Sequence, residues 1–312
     1  MTQHIAGIDV SKHSLDVCLL ESGALARFGN DAAGRKQLVR WLRRHGGAII
    51  GLEPSGGYER AAIKALIGAG FDVRFADARR VRLLAQAYNA GAKTDAIDAR
   101  FIARFIAETG GRPIRLDPAR EALAELMAAR RHFIEAAQRL TQQAEAAAHA
   151  PARRAIERQV KKLMAEAKAM ESSALAHVRA HGELAAALRL LMSAPGVGPI
   201  VAVTLLAEMP ELGALSGKQA ARLAGLAPFV RESGQWKGRA AIGGGRRIPR
   251  NLLYLAAMAA KRTCRLAGAF FERLVAAGKP KMVALTALMR KLIVALNAVL
   301  RDQKPWTVDA PA

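Results

Sequence analysis

An α/β domain followed by an all-α remainder is the fold class that this sequence predicts. Three observations carry the expectation. Short apolar runs alternate with helical patterns up to about residue 110. A tract rich in Ala, Leu, Glu, Arg and Gln then extends from Asp117 to about Met192. Beyond it, apolar helical segments are joined by Gly-rich connections. The expected divisions are 1–112, 113–190, 191–306 and a tail at 307–312.

The elements follow in order. Ile5–Val10 and 15–20 read as strands joined by a turn at Ser11–Ser14, and a third short strand covers Leu25–Phe28. A helix at Gly34–Arg44 precedes a strand at 48–53 (Ala-Ile-Ile-Gly-Leu-Glu). Next come a helix at Glu59–Ala69, a strand at Phe71–Phe75, a helix at Arg79–Tyr88 and another from Asp95 to about Glu108. Only Pro151 and Gly182 interrupt the long tract, and Pro151 suits the first turn of its second helix. Leu123, Met127, Ile134 and Leu140 form a loose apolar stripe, which suggests an antiparallel coiled-coil arm or a dimerising hairpin. The C-terminal part reads as mainly helical. A Gly-rich turn at 193–199 leads into Ile200–Glu208, a basic Gly-rich stretch covers Glu232–Arg250, and helices follow near Leu252–Leu266 and Lys281–Leu300. Arg290 and Lys291 interrupt the apolar run Met282–Leu300, so a globular helix is expected there rather than a membrane span.

A net charge of +22 on 312 residues points to a polyanionic partner, and nucleic acid is the commonest. The excess is uneven: 16 Lys and Arg stand against 11 Asp and Glu in residues 1–110, but 18 against 3 in residues 213–304. Cys18 and Cys264 lack metal-type spacing and read as reduced, buried thiols. The N-terminus shows no basic-then-apolar signal pattern. The expectation is a cytoplasmic protein, nucleoid-associated when bound, with no membrane partner.

Against this basic background four acids stand out. Asp9 sits inside an apolar strand and Glu53 ends another, while Asp95 and Asp98 lie three apart at the start of a helical pattern that Thr94 can cap. Buried carboxylates need compensation, and divalent cations supply it. If the helix covers the sheet that carries Asp9 and Glu53, four carboxylates meet and can hold two Mg²⁺ ions, with Mn²⁺ as a substitute. Each acid also has an ordinary reading. Acids in a helix's first turn favour its dipole, and Glu53 precedes Pro54 where a strand often ends. Asp9 within an apolar strand is what those readings leave unexplained.

Gly-Ile-Asp-Val-Ser-Lys (7–12), Glu-Pro-Ser-Gly-Gly-Tyr-Glu (53–59) and Lys-Thr-Asp-Ala-Ile-Asp-Ala (93–99) resemble the three blocks of the DEDD transposases of the insertion-sequence 110 family. Pro-Gly-Val-Gly (195–198), Gly-Leu-Ala-Pro (225–228) and Arg-Glu-Ser-Gly (231–234) are similar to that family's C-terminal domain. The resemblance implies a RuvC-like ribonuclease H fold for the N-terminal domain and a transposase domain at the C-terminal end. It further implies a catalytic serine at the matching Ser233, a covalent phosphoserine intermediate, and a dimer or tetramer. A structured non-coding RNA that pairs with both target and donor DNA is implied as a partner, with Arg43, Arg44, Arg79, Arg80 and Arg82 as candidate contacts. Without the resemblance, Ser233 reads first as an ordinary Ser-Gly turn.

Around Ser233 stand Arg231, Lys237, Arg239, Arg246, Arg247 and Arg250, interleaved with Gly234, Gly238 and the three glycines at 243–245. Arginine matches phosphate in two-pronged fashion, glycine permits close backbone approach, and Trp236 can stack on a base. Gly196 and Gly198 resemble a helix-hairpin-helix turn that offers amides to phosphate, with a plain helix start as the other reading. His177 and His181 lack the glutamate of a zinc-protease helix and read as surface residues. The alternatives to a recombinase acting on element ends and target are a junction-resolving endonuclease that activates water, and a non-enzymatic DNA-binding protein.

Overall fold

The computed structural model describes residues 4–88, 95–229, 232–233, 236–237 and 241–307, with backbone alone at 47–48, 95–97, 232–233 and 236–237. Thr94, Arg231, Gly234, Gly238 and Arg239 lie outside the described residues. The chain forms two compact units, Met1–Leu116 and Asp117–Ala312.

The first unit is built on a six-stranded sheet of β1 (His4–Val10), β2 (Ser14–Leu19), β3 (Leu25–Gly29), β4 (Gly47–Leu52), β5 (Asp72–Phe75) and β6 (Arg112–Pro113). Its order is β3-β2-β1-β4-β5-β6. β1 runs antiparallel to β2 and parallel to β4, and β5 continues the parallel half before β6 reverses. This is the ribonuclease H-type arrangement that the resemblance implies. The two-residue β6 carries too little pattern to be read from sequence.

Strand alternation gives the sheet two apolar faces. Ala6, Ile8 and Val10 turn to one face and pack with Leu38 and Leu42 of α1 (Ala32–Arg44) and Ala62, Ile63 and Leu66 of α2 (Arg60–Gly68). The Asp31 side chain caps α1, accepting the Gly34 amide at 2.7 Å. The other face carries α3 (Ala78–Ala87), capped by Asp77, and α4 (Asp95–Thr109). Ile102, Phe105 and Ile106 of α4 join Val81 and the partly buried Ile5 and Ile49 there.

Gly7 sets how closely α4 lies on the sheet. A Cβ at Gly7 would fall on the Ala99 carbonyl oxygen and reach 2.5 Å from the Ala103 amide nitrogen. On β4, a Cβ at Gly51 would run into Ile106 and Ile102. Ile5 therefore lies toward the middle of α4 and Gly7 under Ala99 and Ala103, so residues further along β1 approach the helix's N-terminal end. Cys18 pairs with Gly7 across the sheet and feels the Arg100 guanidinium. Burial pushes its thiol up, which fits the expected unreactive, buried cysteine. Cys264 is only half-buried.

The second unit opens with a helical hairpin, α5 (Pro118–Ala146) and α6 (Ala150–Ala180), with Pro151 in the first turn of α6 as expected. Its seam buries Leu123 and Met127, but further out Ala137, Ala144 and Ala167 replace the expected large residues, and Ile134 and Leu140 are half-buried. Arg130 and Glu171 bridge the two helices at 3.1 Å. Next come α7 (Gly182–Met192), α8 (Pro199–Glu208), α9 (Gly217–Leu223), α10 (Arg247–Thr263), α11 (Arg265–Ala276) and α12 (Lys281–Asp302). Leu123, Met127, Ala174 and Val178 at the hairpin's base share one core with α7, α8 and the later helices.

Among the described helices, α12 alone is long and apolar enough to cross a membrane, yet Leu285, Leu292, Ile293 and Leu296 bury it in this core. Inside the core, Asn297 of α12 accepts the Gly213 amide at 2.9 Å and donates to the Leu215 carbonyl at 2.7 Å.

Three differences from the sequence reading have physical causes. α9 is seven residues long, too short for a period, and is set by a Ser216–Gln219 capping box. The run expected at Leu252–Leu266 is two helices, because Cys264 is extended and ends α10. The stretch expected only as Gly-rich is partly strand: β7 (Pro228–Phe229) pairs with β10 (Ala241–Ile242), and β8 (Glu232–Ser233) with β9 (Trp236–Lys237).

Gly7→Ala is expected to destabilise the first unit by about 1–3 kcal/mol, because the added methyl meets backbone atoms that cannot rotate away. Chemical denaturation of the variant against wild type measures it, and an unchanged midpoint would contradict the close packing of α4.

Candidate active site

Asp9 follows Gly7 by two residues on β1 and therefore shares the face that α4 covers. Ile8 is paired with Leu52 on the parallel neighbour, so Asp9 and Glu53 stand next to each other, one step beyond that pair. Asp98 directly precedes Ala99, whose carbonyl lies under Gly7, and Asp95 opens α4. Strand register and helix packing thus place Asp9, Glu53 and Asp98 toward one end of one sheet face, where the backbone of α4 begins. Asp9, Glu53 and Asp98 are all half-buried. The Asp95 side chain is outside the described residues.

Sequence reading missed four residues around these acids. Asp16 is directly opposite Asp9 in the β1–β2 register and only 9% exposed. Arg27, its cross-strand partner on β3, clasps it with two hydrogen bonds of 2.6 and 3.1 Å. Like charges directly opposite on a sheet repel, and Arg27 offsets one of them. An acid in the apolar run Leu-Asp-Val-Cys-Leu is the same signal that marked Asp9.

Glu59 is 8% exposed and holds the loop that follows Glu53. One of its carboxylate oxygens accepts the Ser55 amide at 3.0 Å, the Ser55 hydroxyl at 2.7 Å and the Gly57 amide at 2.9 Å. Burial pushes its carboxyl up. The Ser55 hydroxyl and the amides of residues 55, 57 and 59 outweigh that and hold it below the ordinary glutamate range. From the other side the Asn30 amide donates to the Ser11 carbonyl at 2.9 Å and the Tyr58 carbonyl at 3.0 Å, tying the turn after β1 to the loop after β4. No local pattern announces Asn30, because both partners are distant in sequence.

The donor set of the four acids is oxygen only, which suits a hard cation such as Mg²⁺ or Mn²⁺ better than zinc or copper. Among the described residues no three His, Cys, Asp or Glu side chains are grouped closely enough to hold a metal ion.

In the second unit Ser233 ends β8, paired with Trp236. The β8–β9 pair nests inside β7–β10, so Ser233 stands at the inner end of a strand-paired segment. The side chains of Ser233, Trp236 and Lys237 lie outside the described residues. Arg246 is drawn into the fold: it grips Glu211 with two hydrogen bonds of 2.7 Å and donates to the Glu208 carbonyl at 2.6 Å. Arg247 is exposed, and Arg250 is half-buried with one donor on the Gly244 carbonyl. Gly196 has φ +77, and a Cβ there would strike the backbone of α10 at Ala256 and Ala260. Its glycine is therefore required by packing whether or not phosphate binds. Gly198, exposed, caps α8.

The two histidines are not both surface residues. His177 is half-buried; its Nε2 donates to the Ala119 carbonyl at 2.8 Å, and its ring lies 4.3 Å from that of His181. The pair clamps the start of α5 to the end of α6.

Two family models match the sequence. One, of the DEDD type of IS110 and described as a transposase, covers residues 6–149. The other, described as the transposase IS116/IS110/IS902 family, covers residues 188–272. Among solved structures, Thermus thermophilus RuvC matches at 18% identity and a TM-score of 0.25, covering 36% of this chain and 100% of that one. No curated protein matches.

Two outcomes are expected at these sites. Glu59→Gln should cost about 1–3 kcal/mol. Because the folded carboxyl lies below its unfolded value, that stability is present above the ordinary glutamate pKa of about 4.3 and lost as pH falls through the folded value. The difference in melting temperature between wild type and variant should therefore be full at neutral pH and shrink in acid. Arg246→Ala should also cost about 1–3 kcal/mol by breaking a two-pronged charged hydrogen bond, measurable by thermal melting without DNA.

Proposed function

From the premise that this chain belongs to the IS116/IS110/IS902 family of transposases, and so is a DNA recombinase, we propose a metal-assisted strand exchange through a serine nucleophile. The observation that supports the first half is the position of Asp9 and Glu53 at neighbouring strand ends, on the face covered by the helix that carries Asp98 and opens at Asp95. These four would hold divalent magnesium. When bound, such ions polarise a scissile phosphate and stabilise the attacking and leaving oxygens.

The chain's own residues do the rest. Asp9 and Glu53, fixed by adjacent strands, and Asp98, fixed by α4, present oxygen ligands in a preset arrangement. Arg27 and Glu59 keep the surrounding charges and the loop after Glu53 in place. The Ser233 hydroxyl, from the same chain or a sister copy, attacks the phosphodiester phosphorus. A phosphorus–Oγ bond forms as a phosphorus–sugar oxygen bond breaks, and the leaving sugar oxygen takes up the proton that the serine gives up. The phosphoserine conserves bond energy, so a second strand's hydroxyl can reverse the step and rejoin the DNA without outside energy. The strand-paired setting of Ser233 supports a held nucleophile, and the exposed Arg247 supports phosphate contact beside it. Arg231, Trp236, Lys237, Arg239 and Arg250 are proposed on the same surface.

We further infer, on the resemblance, a structured non-coding RNA as guide and a dimer or tetramer joined through the α5–α6 arms. The exposed Arg79 and Arg82 of α3 are candidate RNA contacts.

Ser233→Ala should bind DNA normally but form no protein–DNA adduct under denaturing conditions and exchange no strands. Asp9→Ala and Asp98→Ala should likewise yield no adduct. Full strand exchange by Ser233→Ala would rule out the serine, and metal-dependent nicking without an adduct in wild type would point to a water-activating nuclease instead.

A further inference from the structure

The sheet face turned away from the acids carries a second feature that the strand-exchange chemistry does not use. Between α1 and α2 runs an open groove of about 700 Å³. One wall is Arg35, Lys36, Arg40 and Arg43, and the other includes Ala65 and Gly68. Neither helix contains an Asp or a Glu. Among the described residues, none of the four cations is paired with a carboxylate. Lys36 and Arg40, like Arg40 and Arg44, are four apart on one helix face and repel each other. Among the described residues this cost is met by no ion pair.

Two of the guanidinium groups are also held in place. Arg35 donates to the Asn30 carbonyl at 2.9 Å and to the Asn30 side-chain oxygen at 3.2 Å, and Arg43 donates to the Ala69 carbonyl at 3.2 Å. They stand eight residues apart, about 12 Å along the helix. Measured along the axis of a duplex, that matches three to four base-pair steps at about 3.4 Å each. The small residues opposite let a backbone lie close. A membrane surface fits poorly, because the exposed positions of α1 (Ala32, Ala33, Lys36, Gln37, Arg40, Arg43) carry no large apolar side chain.

We propose that this groove seats the sugar–phosphate backbone of a DNA duplex segment lying outside the segment being cut. The proposal rests on the recombinase reading, since an enzyme that joins two DNAs must grip more DNA than its reacting strand. Cleaved strand and held duplex then lie on opposite faces of one sheet.

The test uses the full-length protein with Lys36→Gln and Arg40→Gln combined, because both side chains are exposed. Duplex binding is measured across a salt series, alongside melting temperature and magnesium-dependent nicking of a short oligonucleotide. With two phosphate-neutralising cations removed, the slope of log affinity against log salt should flatten by about 1.8, with melting temperature and nicking unchanged. Unchanged duplex affinity and slope in a folded variant would overturn the proposal. So would a loss confined to structured RNA, or to vesicles of anionic lipid. A flattened slope with no nicking by either protein would sustain the groove while sinking the catalytic reading.

Discussion

Everything at the acid site depends on how deeply one helix sinks onto one strand. Gly7 has no side chain, so α4 descends until its Ala99 and Ala103 backbone atoms meet β1. Gly51 keeps β4 equally low beneath Ile102 and Ile106. A helix resting on ordinary side chains would stand further off, and its first turn would miss the strand end where Asp9 lies. The approach also directs the positive end of the helix dipole toward that strand end.

Around that contact, charge is arranged in a row across the strands. Arg27, Asp16 and Asp9 occupy matched positions on β3, β2 and β1, and Glu53 continues the line past β4. The guanidinium satisfies Asp16 with a two-pronged geometry that lysine could not reproduce. Loops at the same end are cross-tied rather than packed: Asn30 joins two of them, and Glu59 organises the second from within. The outcome is a rigid frame made from short polar contacts at the edge of an apolar sheet, which is how a site keeps its shape while remaining open to a large substrate.

The acids are legible in the sequence because an ionisable group in an apolar strand is costly, and that cost is visible one residue at a time. The strands and helices of the first unit are legible for a similar reason, since their periods are local. Asp16 carries the same mark as Asp9 but stands outside the family motif. Glu59 sits inside a motif, yet its partners, backbone amides and a hydroxyl, leave no trace in composition. Arg246 shows the opposite failure. Its charge suggests phosphate, and only the fold shows that Glu211, 35 residues earlier, engages it first. The short strands around Ser233 are hidden because glycines and arginines mark a loop far more often than a ladder, and pairing across a dozen residues has no local signature.

The helical hairpin of the second unit has a mechanical consequence. With 31 residues in α6, the arm is about 46 Å long. Its outer seam is lined by alanines, which let the two rods lie close, while its root is buried in the core shared with α7 and α8. There the His177 imidazole is hydrogen-bonded to the first turn of α5. A pivot of about 5° at that root swings the far end by about 4 Å over such a length. Over that length, any small tilt at the root would become a displacement as wide as a base-pair step.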